Sequence, residues 1–403
     1  MKQTYNELIE EAIRSYWSLP ALSNFEAETY TFADVADRIA RYHLAWQESG
    51  MQPGFRVALC GRNSAEWCIG LLAAFTYGAV AVPLLNEFTP DMIVRLVQHS
   101  ETQVLLVGQQ VLKTLDGIDL DKEMPGVRIC IIEQQDRVEG LFSQRYPDGM
   151  KPEDVKYHAQ TAEELLMINY TSGTTSEPKG VMIPQRAIWS NMDFAKEVLP
   201  QLGAGQKVLS MLPTAHLYGM SFELLYEFIV GIHITLLNRA LSPNLILKAL
   251  SHVKPDLVVV VPMLIEKIVR KGIMPKYNAP LMKVLRNIPL LRQFILGKFR
   301  DGLMQALGGR FYEVIIGGAA LNQEIEALLH DVGFNYTVGY GATECAPIIT
   351  YADWKPFAPG SCGRAAKNME VRIDSPDPQN IAGEILAKGP NVMLGYYKNE
   401  ALT

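Results

Sequence analysis

Short runs of apolar, largely β-branched residues recur along the chain at 56–60, 79–83, 104–107, 127–132, 207–211, 256–261, 313–316 and 336–338. Segments of helical length separate them. The run DLVVVV at 256–261 has no polar alternation, so a strand formed there must be covered on both faces. Buried strands alternating with helices specify a parallel sheet between helix layers, an α/β architecture. Local helix signals agree. Thr31 and Asp34 make a capping box for a helix over 32–48 that stops at Gly50. Thr89-Pro90 and Ser242-Pro243 start two more, with proline in the first turn, where its missing N–H costs nothing. The stretch 68–85 is apolar enough to be weighed as a membrane span, but Gly78 and Pro83 divide it. It reads as a buried helix, capped at Asn63-Ser64, and a following strand.

A chain of 403 residues has room for two or three domains, and 48% apolar with 20% charged residues is ordinary globular composition. The net charge of −6 provides no global basic field, so no nucleic-acid partner is expected. Five cysteines without a C-x-x-C pair argue against a zinc site or a disulfide framework and suit a reducing cytoplasm. The first residues, MKQTYNELIEEAIRSYW, carry acids where an export signal needs an apolar core. A cytoplasmic location is expected.

The stretch 165–184, LLMINYTSGTTSEPKGVMIP, reads as strand, loop, strand. Thr171, Ser172, Thr174, Thr175 and Ser176 supply hydroxyls, and Lys179 supplies a point charge. Gly173 and Gly180 let backbone amides turn toward a ligand. These groups suit a polyphosphate, although a solvated hairpin would explain a bare Ser/Thr/Gly loop as well. The spacing is not that of a P-loop, and a strand, not a helix, follows the lysine. A second constellation, Tyr340-Gly341-Ala342-Thr343-Glu344, sits at the end of a buried strand, where open α/β sheets place ligands. It offers an aromatic face, a hydroxyl and a carboxylate able to hold Mg²⁺. Taken alone, a strand end with a surface glutamate explains it equally well.

Together, TSGTTSEPKG and YGATE resemble the phosphate loop and the adenine segment of the adenylate-forming enzymes: acyl-CoA synthetases, luciferases and peptide-synthetase adenylation domains. Ser176 stands where the usual loop has glycine. The resemblance implies that ATP and AMP bind with Tyr340, between Gly339 and Gly341, against the adenine. It implies Thr343 at the α-phosphate, Thr171 and Glu344 on Mg²⁺, and the loop with Lys179 on the outer phosphates. Gly318, Ala319 and Ala320, after Gly317, would keep the backbone open to the ring and acyl group; a plain strand-to-helix turn before Asn322 explains the glycines almost as well. His216, in LPTAHLYG, resembles the family's histidine beside the carboxylate and acyl tunnel. The competing reading is a structural histidine. No second His or Cys has metal-ligand spacing.

The similarity continues through GEILAKGPNVMLGYY at 383–397 and so covers essentially the whole chain. It implies an acetyl-CoA-synthetase-like fold: two α/β subdomains with packed sheets over 1–345 and a small β-barrel-like subdomain over 346–403, all within one AMP-binding N-terminal domain. The family's Thr-Gly-Asp, hinge and mobile C-terminal domain with its adenylation lysine do not occur before Thr403. The stretch alone is expected to be nearly inactive in acyl-CoA synthesis.

PDLVVVVPMLIEKI, GGAALN and YGATECAP look most similar to long-chain fatty-acyl-CoA synthetases, with departures at Ala342 and 361–364. The implied reaction joins a fatty acid to coenzyme A through an acyl-adenylate, releasing pyrophosphate and AMP. Two alternatives stay open: loading of an aryl or amino acid onto a carrier protein, and a non-catalytic nucleotide- or acyl-binding protein. Finally, 271–310 holds eight lysines and arginines against Asp301, interleaved with apolar residues. It reads as a peripheral contact with the inner membrane face or as an ordinary solvated helix pair.

Overall fold

The computed structural model describes residues 4–134, 138–171, 178–240, 242–353, 355 and 357–403. Ser172, Gly173, Thr174, Thr175 and Ser176 of the expected phosphate loop lie outside the described residues.

Strands β1 (Pro20–Asn24) and β2 (Thr29–Thr31) form an antiparallel pair at the edge of a nine-stranded sheet. The chain then builds a seven-stranded sheet from β3 (Arg56–Cys60), β4 (Val80–Leu84), β5 (Val104–Val107), β6 (Arg128–Ile131), β7 (Leu165–Thr171) and β8 (Lys179–Pro184). Next come β9 (Lys207–Ser210), β10 (His233–Leu236), β11 (Leu257–Val260), β12 (Glu313–Ile316), β13 (Tyr336–Gly341), β14 (Ile348–Asp353) and β15 (Arg364–Ala365), which complete the first sheet in the order β15-β14-β13-β12-β11-β9-β10-β1-β2. The interior strands β3 to β5 and β9 to β13 pair in parallel, and the fully buried runs among them, VAVPL of β4, VLLV of β5 and LVVV of β11, suit a sheet covered on both faces.

The alternation of side chains along each strand makes the layers. Val57 and Leu59 of β3 face a central core shared by both sheets, whereas Ala58 and Cys60 face an outer one. Ile315 of β12 joins the central core, and Val314 and Ile316 join the outer core of the nine-stranded sheet. Helix Ala65–Tyr77 is buried along its whole length, so the apolar stretch weighed as a membrane span is core; Ser64 caps it by accepting from Trp67 N. Helix Phe32–Glu48 carries the expected capping box between Thr31 and Asp34.

The connection between β6 and β7 contains a helix, Glu139–Arg145. The β-rich end does not form one small unit: β16 (Glu370–Asp374) and β17 (Glu384–Lys388) pair only with each other, while β14 and β15 extend the nine-stranded sheet. β18 (Gly395–Tyr396) lies antiparallel to β8 in the seven-stranded sheet. Among the described residues no closed barrel forms. MEVRID and GEILAKG match each other in length and alternation and can pair, whereas the shorter strands satisfy open edges of the large sheets.

Candidate active site

Thr171 and Lys179 are register partners on the hairpin β7–β8, so the ladder fixes both ends of the loop between them. The late segment around β18 then locks onto that hairpin. Tyr397 N donates to Gly180 O at 2.7 Å, and Leu394 N donates to Met182 O at 2.9 Å. The Tyr396 ring lies 5.3 Å from Lys179 Nζ, a cation–π distance. Its hydroxyl donates to Glu344 Oε1 at 2.7 Å. Burial, and then the bond to Glu344, push that hydroxyl up to about 12. One tyrosine thus sits between the expected phosphate lysine and the expected metal carboxylate. Met393 N donates to the Glu344 carbonyl at 2.9 Å, fixing the turn from the other side. Arg186, paired with Glu163 at 3.0 Å, donates to the carbonyls of Pro390 and Val392. Sequence reasoning missed Tyr396; the signal available was its place beside Gly395 in the GYY run.

Tyr340 and Gly341 end β13, which turns tightly into Pro347 and β14. A Cβ on Gly341 would lie 2.0 Å from Pro347 O, the atom that accepts from Ala342 N at 2.9 Å. Only glycine fits that approach. Tyr340, Gly339, Gly341 and Thr343 all line a cavity of about 470 Å³ on the face of β12 and β13. Gly317 and Gly318 line it too, but Ala319 and Ala320 do not; they border a shallow depression with Met263. Glu344 is likewise outside the cavity wall, held behind Thr343 by Tyr396.

The cavity runs along the sheet from Gly317 past Ile315 to Glu313, three residues on one face of β12. Ile315, Phe194 and Phe222 supply its apolar lining. Tyr218 closes one wall, its hydroxyl 3.1 Å from Val260 O and 3.3 Å from Ile315 O. A Cβ on Gly317 would meet that ring at 3.0 Å, so glycine here sets the width of the groove. The far end is polar: Thr337 donates to the Glu313 carboxylate, and Asp353 stands opposite Thr337 in the ladder. Burial, with a smaller contribution from Asp353, pushes the Glu313 carboxyl up to about 7.

His216 opens onto the same cavity beside Tyr218. Desolvation lowers its pKa, so the imidazole is neutral at pH 7 and can accept or donate one hydrogen bond without placing charge beside an acyl group. Its loop is held from three directions. Asn63 Nδ2 donates to Leu212 O at 2.6 Å while its Oδ1 accepts from Thr214 N at 3.0 Å. Asn169 of β7 donates to Ala215 O at 3.0 Å. Glu223 Oε2 accepts from Ser210 Oγ, Met211 N and Leu212 N at 2.9–3.0 Å.

Among the described residues, no three His, Cys, Asp or Glu side chains gather into a metal cage. The hydroxyl of Thr171 and the carboxylate of Glu344 are nevertheless hard oxygen donors of the kind Mg²⁺ takes, with phosphate oxygens and water supplying the remainder. A glycine-edged groove with an aromatic at its mouth, next to a segment flanked by Thr171 and Lys179, offers the surfaces and donor groups that a nucleotide and an organic acid would need.

The chain belongs to the AMP-binding enzyme family, which matches residues 9–397. Among curated relatives it is 25% identical to long chain acyl-CoA synthetase 5 of Arabidopsis thaliana over 95% of this chain and 63% of that one. It is 26% identical to the 4-coumarate–CoA ligase CCL1 of Humulus lupulus over 98% of this chain and 69% of that one. The chain thus spans less than two thirds of the length of the long-chain acyl-CoA synthetases it matches. The fold is shared with the inhibitor-bound N-terminal domain of FACL13 from Mycobacterium tuberculosis, with TM-score 0.75 at 17% identity, covering 99% of this chain and 92% of that one. It is also shared with the o-succinylbenzoate CoA synthetase of Bacillus subtilis in complex with its acyl-adenylate intermediate, with TM-score 0.74 at 19% identity, covering 99% and 72%.

Proposed function

We propose that the protein carrying this chain is an AMP-forming acid–thiol ligase of the cytoplasm that activates a fatty acid. The observation that carries the reading is the junction Lys179–Tyr396–Glu344, closing on the segment whose Tyr340 and Thr343 line the groove. In the first half-reaction a carboxylate oxygen attacks the α-phosphorus of ATP. The bond from that phosphorus to the β-phosphate oxygen breaks, and pyrophosphate leaves. In the second, the thiolate of coenzyme A attacks the acyl carbon and AMP leaves. A carboxylate is a weak nucleophile facing a polyanion, so the site must supply fixed positive charge and orientation. Lys179 and the loop's hydroxyls and amides hold the outer phosphates, Thr343 orients the α-phosphate, and neutral His216 positions the acid without repelling it. Thr171 and Glu344 would hold Mg²⁺, which would neutralise phosphate charge when bound.

The groove, with its apolar lining, favours an aliphatic acid. Its polar end supports a second reading, an acid carrying a hydroxyl or amine at its tail, met by Glu313 and Thr337. ATP–pyrophosphate exchange by the full-length protein tests both across plain fatty acids, tail-hydroxylated fatty acids, aryl acids and amino acids. Exchange with fatty acids of either kind is expected. Exchange confined to aryl or amino acids would favour carrier-protein loading, and nucleotide binding without exchange would favour a non-catalytic protein.

A further inference from the structure

Helices Pro280–Arg286 and Pro289–Ala306 are built with their polarity reversed at one end. Two of their cations are tied to one carboxylate: Asp331 gathers Tyr277 Oη at 2.5 Å, Arg292 at 2.5 Å and Arg286 at 3.7 Å, and the Arg286 guanidinium also lies 3.4 Å over the Tyr277 ring. With that face fastened, the apolar side chains point out. Leu290 is 92% exposed, Phe294 66% and Leu281 64%, and Val284 and Ile288 are exposed beside them. Only the later part of the longer helix, at Leu296 and Leu303, turns apolar residues into the core. Scattered single exposed leucines need no explanation, but a contiguous group of large ones on a fixed scaffold does.

The charge around this patch selects its partner. From Lys267 to Arg300 the chain carries nine lysines and arginines and no acid, within a protein of net charge −6. Lys283 stands between Leu281 and Val284, and Lys298 lies 5.4 Å from the Phe294 ring. Exposed apolar residues interleaved with long cationic side chains match an anionic bilayer surface, with the rings and aliphatic chains at the acyl boundary and the ammonium groups at the headgroups. Among the described residues no helix is long and apolar enough to cross a membrane, so such contact would be made in the interface plane. Met263, 74% exposed, borders a depression with Lys267, Ala319 and Ala320, and those alanines directly follow the Gly317-Gly318 turn in the cavity wall.

We propose that the surface formed by Leu281, Val284, Leu290, Phe294, Lys283 and Lys298 docks this protein on the surface of an anionic phospholipid bilayer. This goes beyond the ligase reading, because the test reads lipid binding alone and would stand or fall without any acid being activated. The experiment is flotation of the chain with phosphatidylcholine vesicles and with vesicles in which about a third of the lipid is phosphatidylglycerol. Binding at least tenfold tighter to the anionic vesicles is expected, weakening as salt is raised. Leu290→Ser with Phe294→Ser should cut it tenfold or more. Lys283→Glu with Lys298→Glu should remove the preference for anionic lipid, at about fivefold per cation. All four side chains are exposed, so circular dichroism should be unchanged, and the two double variants are independent of each other. No flotation, or equal flotation with both vesicle types, overturns the proposal. So would sedimentation showing a dimer that the Leu290/Phe294 pair of changes dissociates, without vesicle binding: that result would assign the patch to a second copy of the chain.

Discussion

Tyr396 donates a 2.7 Å hydrogen bond to Glu344 across 52 residues of sequence, with its ring 5.3 Å from Lys179 Nζ. The tyrosine joins the edge of one sheet, where β18 meets β8, to the turn that ends β13 in the other. It fixes the carboxylate's orientation before any ligand arrives. Pre-positioning of this kind is what a metal-assisted phosphate site needs.

Tyr396→Phe should keep the ring over Lys179 and lose only the hydroxyl. A hydrogen bond to a charged group is worth about 1.5–3 kcal/mol, so affinity for ATP with Mg²⁺ should fall by on the order of tenfold. AMP, and ATP without Mg²⁺, should bind nearly as before. Calorimetric titration with and without the metal reads the difference; equal weakening in all three would mean that Tyr396 supports the fold of the site and not Glu344.

Gly317→Val places a branched side chain where a single Cβ already meets the Tyr218 ring at 3.0 Å. The groove should narrow at its mouth. Binding of a non-hydrolysable acyl-sulfamoyl-adenosine should weaken at least tenfold, while AMP binding falls less than threefold, since overpacking costs typically about 1–3 kcal/mol. Loss of both together would place Gly317 at the nucleotide instead of the acyl group.

Glu227 gives the fold a pH signature. It is fully buried and neither carboxyl oxygen has a hydrogen-bond partner; burial pushes its carboxyl up to about 8, against 4.5 in the open chain. The folded state therefore binds the proton more tightly than the unfolded state. The stability that Glu227 contributes is fully present below about 4.5, is lost as pH rises through 4.5 to 8, and changes no further above 8. Glu227→Gln should flatten this slope, by on the order of 3 kcal/mol between pH 5 and 8. It should not abolish it, because buried Glu223 is shifted the same way. Urea denaturation at the two pH values measures it; an unchanged slope would place the ionisation elsewhere.

Much of this framework was legible in the sequence because its causes are local. The Thr31–Asp34 capping box sets one helix start, and the apolar runs at 56–60, 104–107 and 313–316 coincide with strands β3, β5 and β12. The hairpin β7–β8 and the end of β13 also follow from short-range chemistry. What the sequence hid is what depends on distant partners. β1 pairs with β10 across most of the N-terminal half, and nothing near Pro20 announces it. Alternation makes the late strands look like one unit, because it reports a half-buried strand without naming the sheet it joins. Asn63 looks like a helix cap in sequence, yet its side chain holds the His216 loop through Leu212 and Thr214. Glu313 looks like an ordinary strand start, and only the register that brings Thr337 and Asp353 alongside makes it the end of a groove.

The central claim, that residues flanking the 172–177 loop hold the outer phosphates of ATP beside Glu344, is tested most directly by Lys179→Ala. Charge-assisted contacts are worth about 1.5–3 kcal/mol each, so affinity for ATP with Mg²⁺ should fall tenfold or more, with AMP affinity nearly unchanged. Calorimetric titration of both nucleotides against the wild-type chain and the variant gives the answer. Equal losses for ATP and AMP, or no loss for either, would contradict the placement of Lys179 and the reading of the site built on it.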